Sequence, residues 1–543
     1  MTYAAPVAEQ RFVLDHVANL EVEPDMLDAV LEGAAQFAQG EWAPLAEKGD
    51  TVGAKWTPKG VVMPEGYRAA YQAYVEGGWG TIGVPEAHGG QGLPFAVQAA
   101  VLETLGGADM GFALAPILTV GAIEALAHHG SPEQQATYLP KLATGEWTGT
   151  MNLTEPQAGS DVGALRATAT PIKKEGGGDG TFSIKGTKIF ISFGDHDLAD
   201  NIVHLVLART PDAPAGTRGI SLFLVPKVRL DGTPNDVRVV SIEHKMGLHA
   251  SPTCVLSFGD HDECVGELIG PEYGGMRAMF TMMNNARLNV GLQGVQVAEA
   301  ATQKAIAYAK DRVQGAREGR PSAILGHPDV RRMLMRMKAQ TQAARALVYY
   351  ACAQVGREGG NDRLEILTPL AKAHATDIGN EVASIGVQVH GGMGYVEETG
   401  AARFFRDARI TPIYEGTNGI QAADLVGRKL SLSNGAAFAD LIADLKQASH
   451  PRLADLVATC ETIGRRLQTA DADDKLAASY PFLTMLSVAT CGWLMERLAA
   501  EGDEKRKAVA AFYLDQIVPE ALGLEAAASA PASQLYALSA DDF

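Results

Sequence analysis

The chain has 543 residues, too many for one ordinary core, so several domains are expected. Hydrophobic residues at 46% and charged residues at 20% are those of a soluble globular protein. A formal charge of −18 excludes general binding to nucleic acid or insertion at an anionic membrane surface, while leaving room for a local basic pocket that holds a phosphorylated ligand.

The opening MTYAAPVAEQRF has no basic start followed by an apolar stretch, so no secretory signal is expected and the cytoplasm is the default location. Residues 1–148 are expected to form an N-terminal helical domain. Apolar residues recur at helical spacing in EPDMLDAVLEGAAQFAQGEWAPLAEKG, with Glu23 and Pro24 at its start, and again in YRAAYQAYVEGG and PFAVQAAVLETLGG. GFALAPILTVGAIEALAHHG (111–130) is apolar enough for a membrane, but Pro116 and Glu124 fit a buried core helix better. The one GxGxxG match, Gly78-Trp-Gly80-Thr-Ile-Gly83, follows a helical pattern and runs into Pro85, so it predicts a turn-rich loop and no Rossmann site. Adjacent His128 and His129 do not place two ligands on one helix face, and an interhelical or surface role is expected.

At about Trp147 the pattern changes to short, β-branched, partly alternating runs: WTGTMNLTE, TFSIKGTKIFIS, NIVHLVLART, GISLFLVPK, VRVVSIEHKMG and PTCVLSFGD. Turn sequences such as KKEGGGDG separate them. Residues 149–272 are therefore expected to be a middle β domain. Helices return over 273–430, where PDVRRMLMRMKAQTQAARALVYYACAQV reads as one long amphipathic helix with its methionines in the core. A further helical region, 431–543, ends in an Ala/Ser-rich tail expected to be loose. The order helices, strands, helices gives an α+β fold with segregated layers. The five cysteines form no CxxC pair, which gives no support to zinc or to a disulfide framework; no metal is expected.

Four stretches could carry chemistry. MNLTEPQAGSDVGAL (151–165) ends a strand in Thr154, a turn, and Ser160-Asp161; its hydroxyls and free N–H groups could hold a carbonyl or phosphate oxygen, or form an ordinary Asx-type turn. KIFISFG (188–194) puts Phe190 and Ser192 on one face of a strand by period two, suited to flanking a flat ring or simply to core packing. GVQVHGGMGYVEETG (386–400) allows close backbone approach at Gly391-Gly392, or a plain helix cap. ITPIYEGTNGIQ (410–421) sets one carboxylate, Glu415, between apolar Ile413 and Tyr414 and a Gly-Thr-Asn-Gly turn. Apolar walls raise a carboxylate's pKa and make it a base usable near neutrality.

In this order, LTEPQAGSDVG and IYEGTNGIQ resemble the acyl-CoA dehydrogenase family, over residues 1–430. YAAPVAEQRFVLDHV, HPDVRRML, GVQVHGGMGYVEETGAARFFRDARI and the additional C-terminal region are similar to its 3-methylthiopropionyl-CoA dehydrogenase branch. The resemblance implies an N-terminal helical domain, a middle β domain, a C-terminal four-helix bundle and an extra helical region. It implies FAD, held without a Rossmann motif, and α,β-dehydrogenation to the trans-2-enoyl-CoA of an acyl-CoA, either 3-methylthiopropionyl-CoA or a plain short- or medium-chain acyl-CoA, which fits the visible residues equally well.

By the same resemblance, Glu415 is the base that removes the pro-α proton while flavin N5 takes the β hydrogen as hydride. The thioester carbonyl is polarised by the Glu415 backbone N–H and a ribityl hydroxyl. The start of the helix after Glu415 favours its anion, while apolar neighbours and bound thioester oppose it, for an expected pKa of about 6–7 in the complex. Met151, Leu153 and Thr154 line the flavin ring, with Phe190 and Ser192 at its far side, serine standing where the family usually has threonine. Ser160 contacts CoA, Arg287 lies near the CoA adenine end, and Tyr414 and Gly416 flank the substrate. Arg312, Gln388, Gly391 and Gly392 bind the adenylate half of FAD from a neighbouring subunit, and Thr417 contacts the FAD pyrophosphate. A homo-oligomer follows, a dimer rather than a tetramer if 431–543 replaces a dimer–dimer contact, with an electron-transferring flavoprotein as acceptor. Two positions depart from the family: Ala286 stands where some members carry their base, and Gly419 where many have glutamine. An oxidase on the same scaffold is a rival reading. A DNA-binding relative is disfavoured, because 431–543 holds nine Lys/Arg against sixteen Asp/Glu.

Overall fold

The computed structural model describes residues 3–172 and 180–543, so most of the KKEGGGDG turn lies outside the described residues. Contacts divide the chain into two compact units: Gln36–Leu93 with Ala108–Ala286, and the chain up to Ala35 with Pro94–Gly107 and Arg287–Phe543.

The first unit is built on strands. β1 (Lys55–Thr57) and β2 (Gly60–Val62) form a hairpin. β3 (Trp147–Asn152), β4 (Thr168–Pro171), β5 (Thr181–Ser192), β6 (Asn201–Ala208), β7 (Ser221–Pro226), β8 (Val237–Ile242), β9 (Thr253–Phe258) and β10 (Val265–Ile269) form one sheet. Its order is β3-β6-β7-β10-β5-β9-β8, with β4 paired to β5. β3 and β6 run parallel and the other neighbours antiparallel. β6 and β7 are buried along their whole length, as expected of strands covered on both faces. One side packs on helices Met110–His129 and Pro132–Thr144 through Ala122, Leu126, Leu139, Leu205 and Leu224. A second cluster gathers Ile184, Val206, Phe223, Leu256 and Phe258.

Helix Met110–His129 is long and apolar enough to cross a membrane, but it is buried in this unit, as its Pro116 and Glu124 suggested. Asp109 caps it, accepting from the Phe112 N–H at 3.0 Å. It lies so close to β3 that a Cβ at Gly149 would come within 2.4 Å of Ala122. The Gly78 region is a short 3-10 turn, consistent with a loop. His129 shares a 2.8 Å hydrogen bond with Thr281 of helix Gly275–Asp311.

The second unit is helical. Its long members are the later part of Gly275–Asp311, then Pro328–Cys352, Asn361–His390 and Ala472–Glu501. Glycines set the closest approach: a Cβ at Gly294 would meet the Ala375 carbonyl oxygen at 2.1 Å, so Gly275–Asp311 and Asn361–His390 touch backbone to backbone. A buried polar knot adds register. Arg345 Nη2 donates to Glu103 Oε1 at 2.8 Å and to Glu299 Oε2 at 2.7 Å, and the Tyr349 hydroxyl donates to Glu103 at 2.6 Å.

Two expectations need correction here. The region 273–430 is not helical throughout: β11 (Val313–Arg317) and β12 (Arg320–Ala323) form a hairpin around Glu318 and Gly319, both with positive φ. The C-terminal tail is not loose at its start. Arg466 Nη2 donates to the Ala528 carbonyl at 2.6 Å, and the Ala532 N–H donates to Asp474 Oδ1 at 2.7 Å, which docks both alanines. Residues 533–543 are exposed.

Candidate active site

The loop bearing Glu415 closes on itself before the helix Asn418–Gly427 begins. The Ile413 N–H donates to the Ile410 carbonyl and the Asn418 N–H to the Pro412 carbonyl, each at 2.9 Å. Between them Glu415 (φ 55) and Gly416 (φ 83) are both left-handed. Glycine accepts that conformation freely, whereas a side chain at 416 would also meet Gln421 Nε2 at 2.8 Å from its Cβ. For Glu415 the conformation is strained, by about 1–3 kcal/mol, and surrounding contacts must hold it. The Tyr414 hydroxyl donates to Gln293 Oε1. Lys372, fully buried, donates from Nζ to the Gly416 carbonyl and to Asn418 Oδ1, both at 2.8 Å.

Burial pushes the Glu415 carboxyl up to about 7, against the opposing pull of Arg287 and Lys372. Burial also brings Lys372 down to about 7, against Glu415 and Asp377, which favour its charge. Arg287 is buried, and its guanidinium would lie 3.9 Å from a Cβ at Gly416. It is close enough to the carboxylate to favour its anion. The Thr417 hydroxyl accepts from the Ile420 N–H at 3.1 Å and so caps the helix.

In the same unit, Tyr308 and His390 stack with ring centroids 4.4 Å apart. That contact joins the end of Gly275–Asp311, followed by exposed Arg312, to the end of Asn361–His390, where Gln388, Gly391 and Gly392 are exposed. A Cβ at Gly391 or Gly392 would meet nothing within 4 Å, so backbone is open to a ligand there.

In the strand-based unit, Met151, Leu153 and Thr154 are brought beside Phe190 and Ser192. The Ile189 N–H donates to the Thr154 carbonyl at 2.9 Å, and Lys188 Nζ to the Leu153 carbonyl at 3.0 Å. The strand is not regular at this point, as period two had assumed. A bulge lies between Lys188 and Ile191, and Phe190 has φ 59 with 59% of its surface exposed. An exposed aromatic ring on the same bulged strand as partly buried Ser192 suits the face of a flat, partly apolar group. Ser160 is exposed on the following loop, whose base is the Glu155–Ala158 bridge.

Sequence reasoning passed over the residue that organises this loop. Glu155 is buried, accepts from Lys188 Nζ at 2.8 Å, and accepts from the Arg166 and Ala167 N–H groups at 2.7 and 3.0 Å. Burial alone would raise its pKa; Lys188 and the two backbone donors outweigh that and hold it below the usual value. Lys372, Asn418 and Gln421 were also passed over. Gln421 is 1% exposed, and its side-chain amide has no hydrogen-bond partner among the described residues. Orphaned polar atoms on Gln421 and Gln293 beside the Glu415 loop fit a polar ligand there.

Comparison with known proteins matches successive parts of the chain to models of the acyl-CoA dehydrogenase N-terminal domain (24–146), middle domain (150–261) and C-terminal domain (273–430). A model for the acetyl-CoA dehydrogenase C-terminal-like region matches 421–539. The chain is 46% identical to 3-methylmercaptopropionyl-CoA dehydrogenase of Ruegeria pomeroyi, over 93% of this chain and 92% of that protein. It is 36% identical to a butyryl-CoA dehydrogenase of Syntrophomonas wolfei, over 92% and 90%. In fold it resembles an acyl-CoA dehydrogenase of Bacillus anthracis solved with FAD, with a TM-score of 0.75, 23% identity, and coverage of 98% and 92%.

Proposed function

The chain belongs to the acyl-CoA dehydrogenase family, and from that premise we propose that Glu415 is the base that takes the α-proton of the acyl thioester. The enzyme is an FAD-dependent oxidoreductase that dehydrogenates an acyl-CoA across its α and β carbons. FAD, when bound, supplies the acceptor for the β hydrogen and its electron pair. The single observation that carries the assignment is the Glu415 carboxyl, half-buried, held in a left-handed turn, and raised to about 7 beside two cations. Such a group is a stronger base than a solvated carboxylate and is still ionised in good part at neutral pH. Arg287 and Lys372 favour its anion before the reaction, and the protonated form is uncharged and suits the buried loop afterwards.

Met151, Leu153, Thr154, Phe190 and Ser192 are the flavin-ring contacts in this reading. Arg312, Gln388, Gly391, Gly392 and Thr417 hold the rest of FAD, and Ser160, Tyr414 and Gly416 contact the acyl-CoA. The open backbone at Gly391-Gly392 and the exposed Phe190 ring support these roles. The acyl group is a short chain, 3-methylthiopropionyl first, supported by the 46% identity to a dehydrogenase of that thioester. The electrons pass to an electron-transferring flavoprotein. All five cysteines are free and buried, which fits the reducing cytoplasm. The active form is a dimer. Exposed Met393, Tyr395 and Val396 beside the Gly391-Gly392 backbone give a second subunit an apolar surface to cover. Sedimentation equilibrium should give twice the chain mass, and a stable tetramer or a monomer would refute this.

Anaerobic flavin absorbance tests the function itself. Wild type should be bleached by 3-methylthiopropionyl-CoA faster than by butyryl-CoA or octanoyl-CoA, and Glu415→Gln with bound flavin by none of them. Bleaching of the glutamine variant at a wild-type rate would sink the assignment. A faster octanoyl reaction would sink the substrate choice alone.

A further inference from the structure

The residues that hold the Glu415 loop continue into the additional C-terminal region. Tyr480 lies on helix Ala472–Glu501, and its hydroxyl donates to Asp377 Oδ2 at 2.7 Å. The other oxygen, Asp377 Oδ1, accepts from Asn418 Nδ2 at 2.8 Å. Asn418 Oδ1 in turn accepts from Lys372 Nζ, which also donates to the Gly416 carbonyl next to Glu415, each at 2.8 Å. Asn418 opens the helix that follows the loop, and that helix packs on Ala472–Glu501. Four side chains from three helices thus form one hydrogen-bonded line that ends on the catalytic loop.

We infer that Tyr480 and Asp377 are positioning residues, through which the C-terminal region fixes Asn418 and keeps Lys372 charged beside Glu415. The inference rests on Glu415 being the base and adds to it a role for residues 431–543.

The charges that face this line can be named. Glu415 faces Arg287 and Lys372; Lys372 faces Glu415, Asp377 and Arg287; Asp377 faces Lys372 and Arg409; Arg287 also faces Asp424 and Arg428. Burial raises the Asp377 carboxyl, and the Tyr480 and Asn418 hydrogen bonds, with Lys372 and Arg409, oppose that rise. Removing the Tyr480 donor therefore raises Asp377 further and weakens its negative charge. Lys372 then loses part of what keeps it protonated, and Glu415 loses part of a cation that favours its anion. The base should become harder to ionise, so activity should begin at higher pH.

The test uses full-length holoenzyme and anaerobic flavin reduction by 3-methylthiopropionyl-CoA, from about pH 5.5 to about 9, with butyryl-CoA as a second probe. In Tyr480→Phe the acid limb of the second-order rate constant should move up by about half a pH unit, a loss of roughly 3-fold below that limb. Asp377→Asn should move it at least as far, and adding Tyr480→Phe to Asp377→Asn should change nothing more. A Tyr480→Phe enzyme with a lower Tm but the wild-type pH profile would show a merely structural contact and overturn the inference. So would additive effects in the double variant. If Tyr480→Phe yields no holoenzyme, Asp377→Asn decides alone, by the same rise or its absence. Glu415→Gln is measured alongside: if it still reduces flavin, the assignment of the base has failed, whereas a silent Glu415→Gln with an unmoved Tyr480→Phe profile refutes only the relay.

Discussion

Two carboxylates, Glu415 and Glu155, show how one side-chain type is turned to opposite uses by its surroundings. Both are removed from solvent to some degree, which alone raises a carboxyl pKa. Around Glu155 one ammonium group and two backbone N–H donors point straight at the oxygens, and the carboxyl is held low. Around Glu415 the cations are near but the loop's hydrogen bonds end on the Gly416 carbonyl and Asn418, so burial prevails and the value rises to about 7. Glu155 is thus held as an anion, whereas Glu415 has the raised value that the proposed base needs. Glu155→Gln leaves Lys188 buried without its counter-charge and should destabilise the fold by about 3 kcal/mol. Because the folded-state pKa of Glu155 lies below its unfolded value, its contribution is full above about 4.3 and fades as pH falls through the folded value. Thermal unfolding of wild type and Glu155→Gln should therefore differ fully at neutral pH and converge on acidification below about 4. A difference that stays constant down to low pH would contradict this account of Glu155.

At the scale of elements, the sequence made legible what depends on local pattern. The amphipathic run from Pro328 to Cys352, the buried apolar helix from Met110 to His129, and strands β3, β5, β6, β7, β8 and β9 all follow from periodicity in their own residues. The elements it hid are short ones. β4 (Thr168–Pro171) has little alternation of its own and exists because β5 and Arg209 supply its hydrogen bonds. The β11–β12 hairpin turns on Glu318-Gly319, a two-residue turn signal set inside a region otherwise dominated by helices. The bulge at Phe190 left no mark in KIFISFG, because it is fixed by pairing with β9 and by the Thr154 carbonyl, far away in sequence. The same holds within the site. Glu415, Gly416 and Thr417 could be read in one stretch, whereas Lys372, Gln293 and Tyr480 act on it from 43, 122 and 65 residues away and carry no local motif.

On the scale of the whole chain, net charge and domain content fit together. The additional region is acidic, with sixteen Asp/Glu against nine Lys/Arg, which suits a helical layer that packs on the enzyme's own bundle and not a nucleic-acid grip. Its helix Ala472–Glu501 packs against the helix that follows Glu415, so a region outside the three other family domains reaches the elements that hold this loop. The proposed chemistry rests on one step, in which a half-buried carboxylate on the Ile410–Gln421 segment removes a proton from carbon. The most direct test is the second-order rate constant of anaerobic flavin reduction as a function of pH, with 3-methylthiopropionyl-CoA that carries hydrogen or deuterium at the α carbon. The account predicts a rate that rises with pH through an apparent pKa near 7, and a slower reaction for the α-deuterated thioester along that rise. A rate that ignores pH across the neutral range, or one that ignores the isotope when flavin reduction is the step observed, would contradict it.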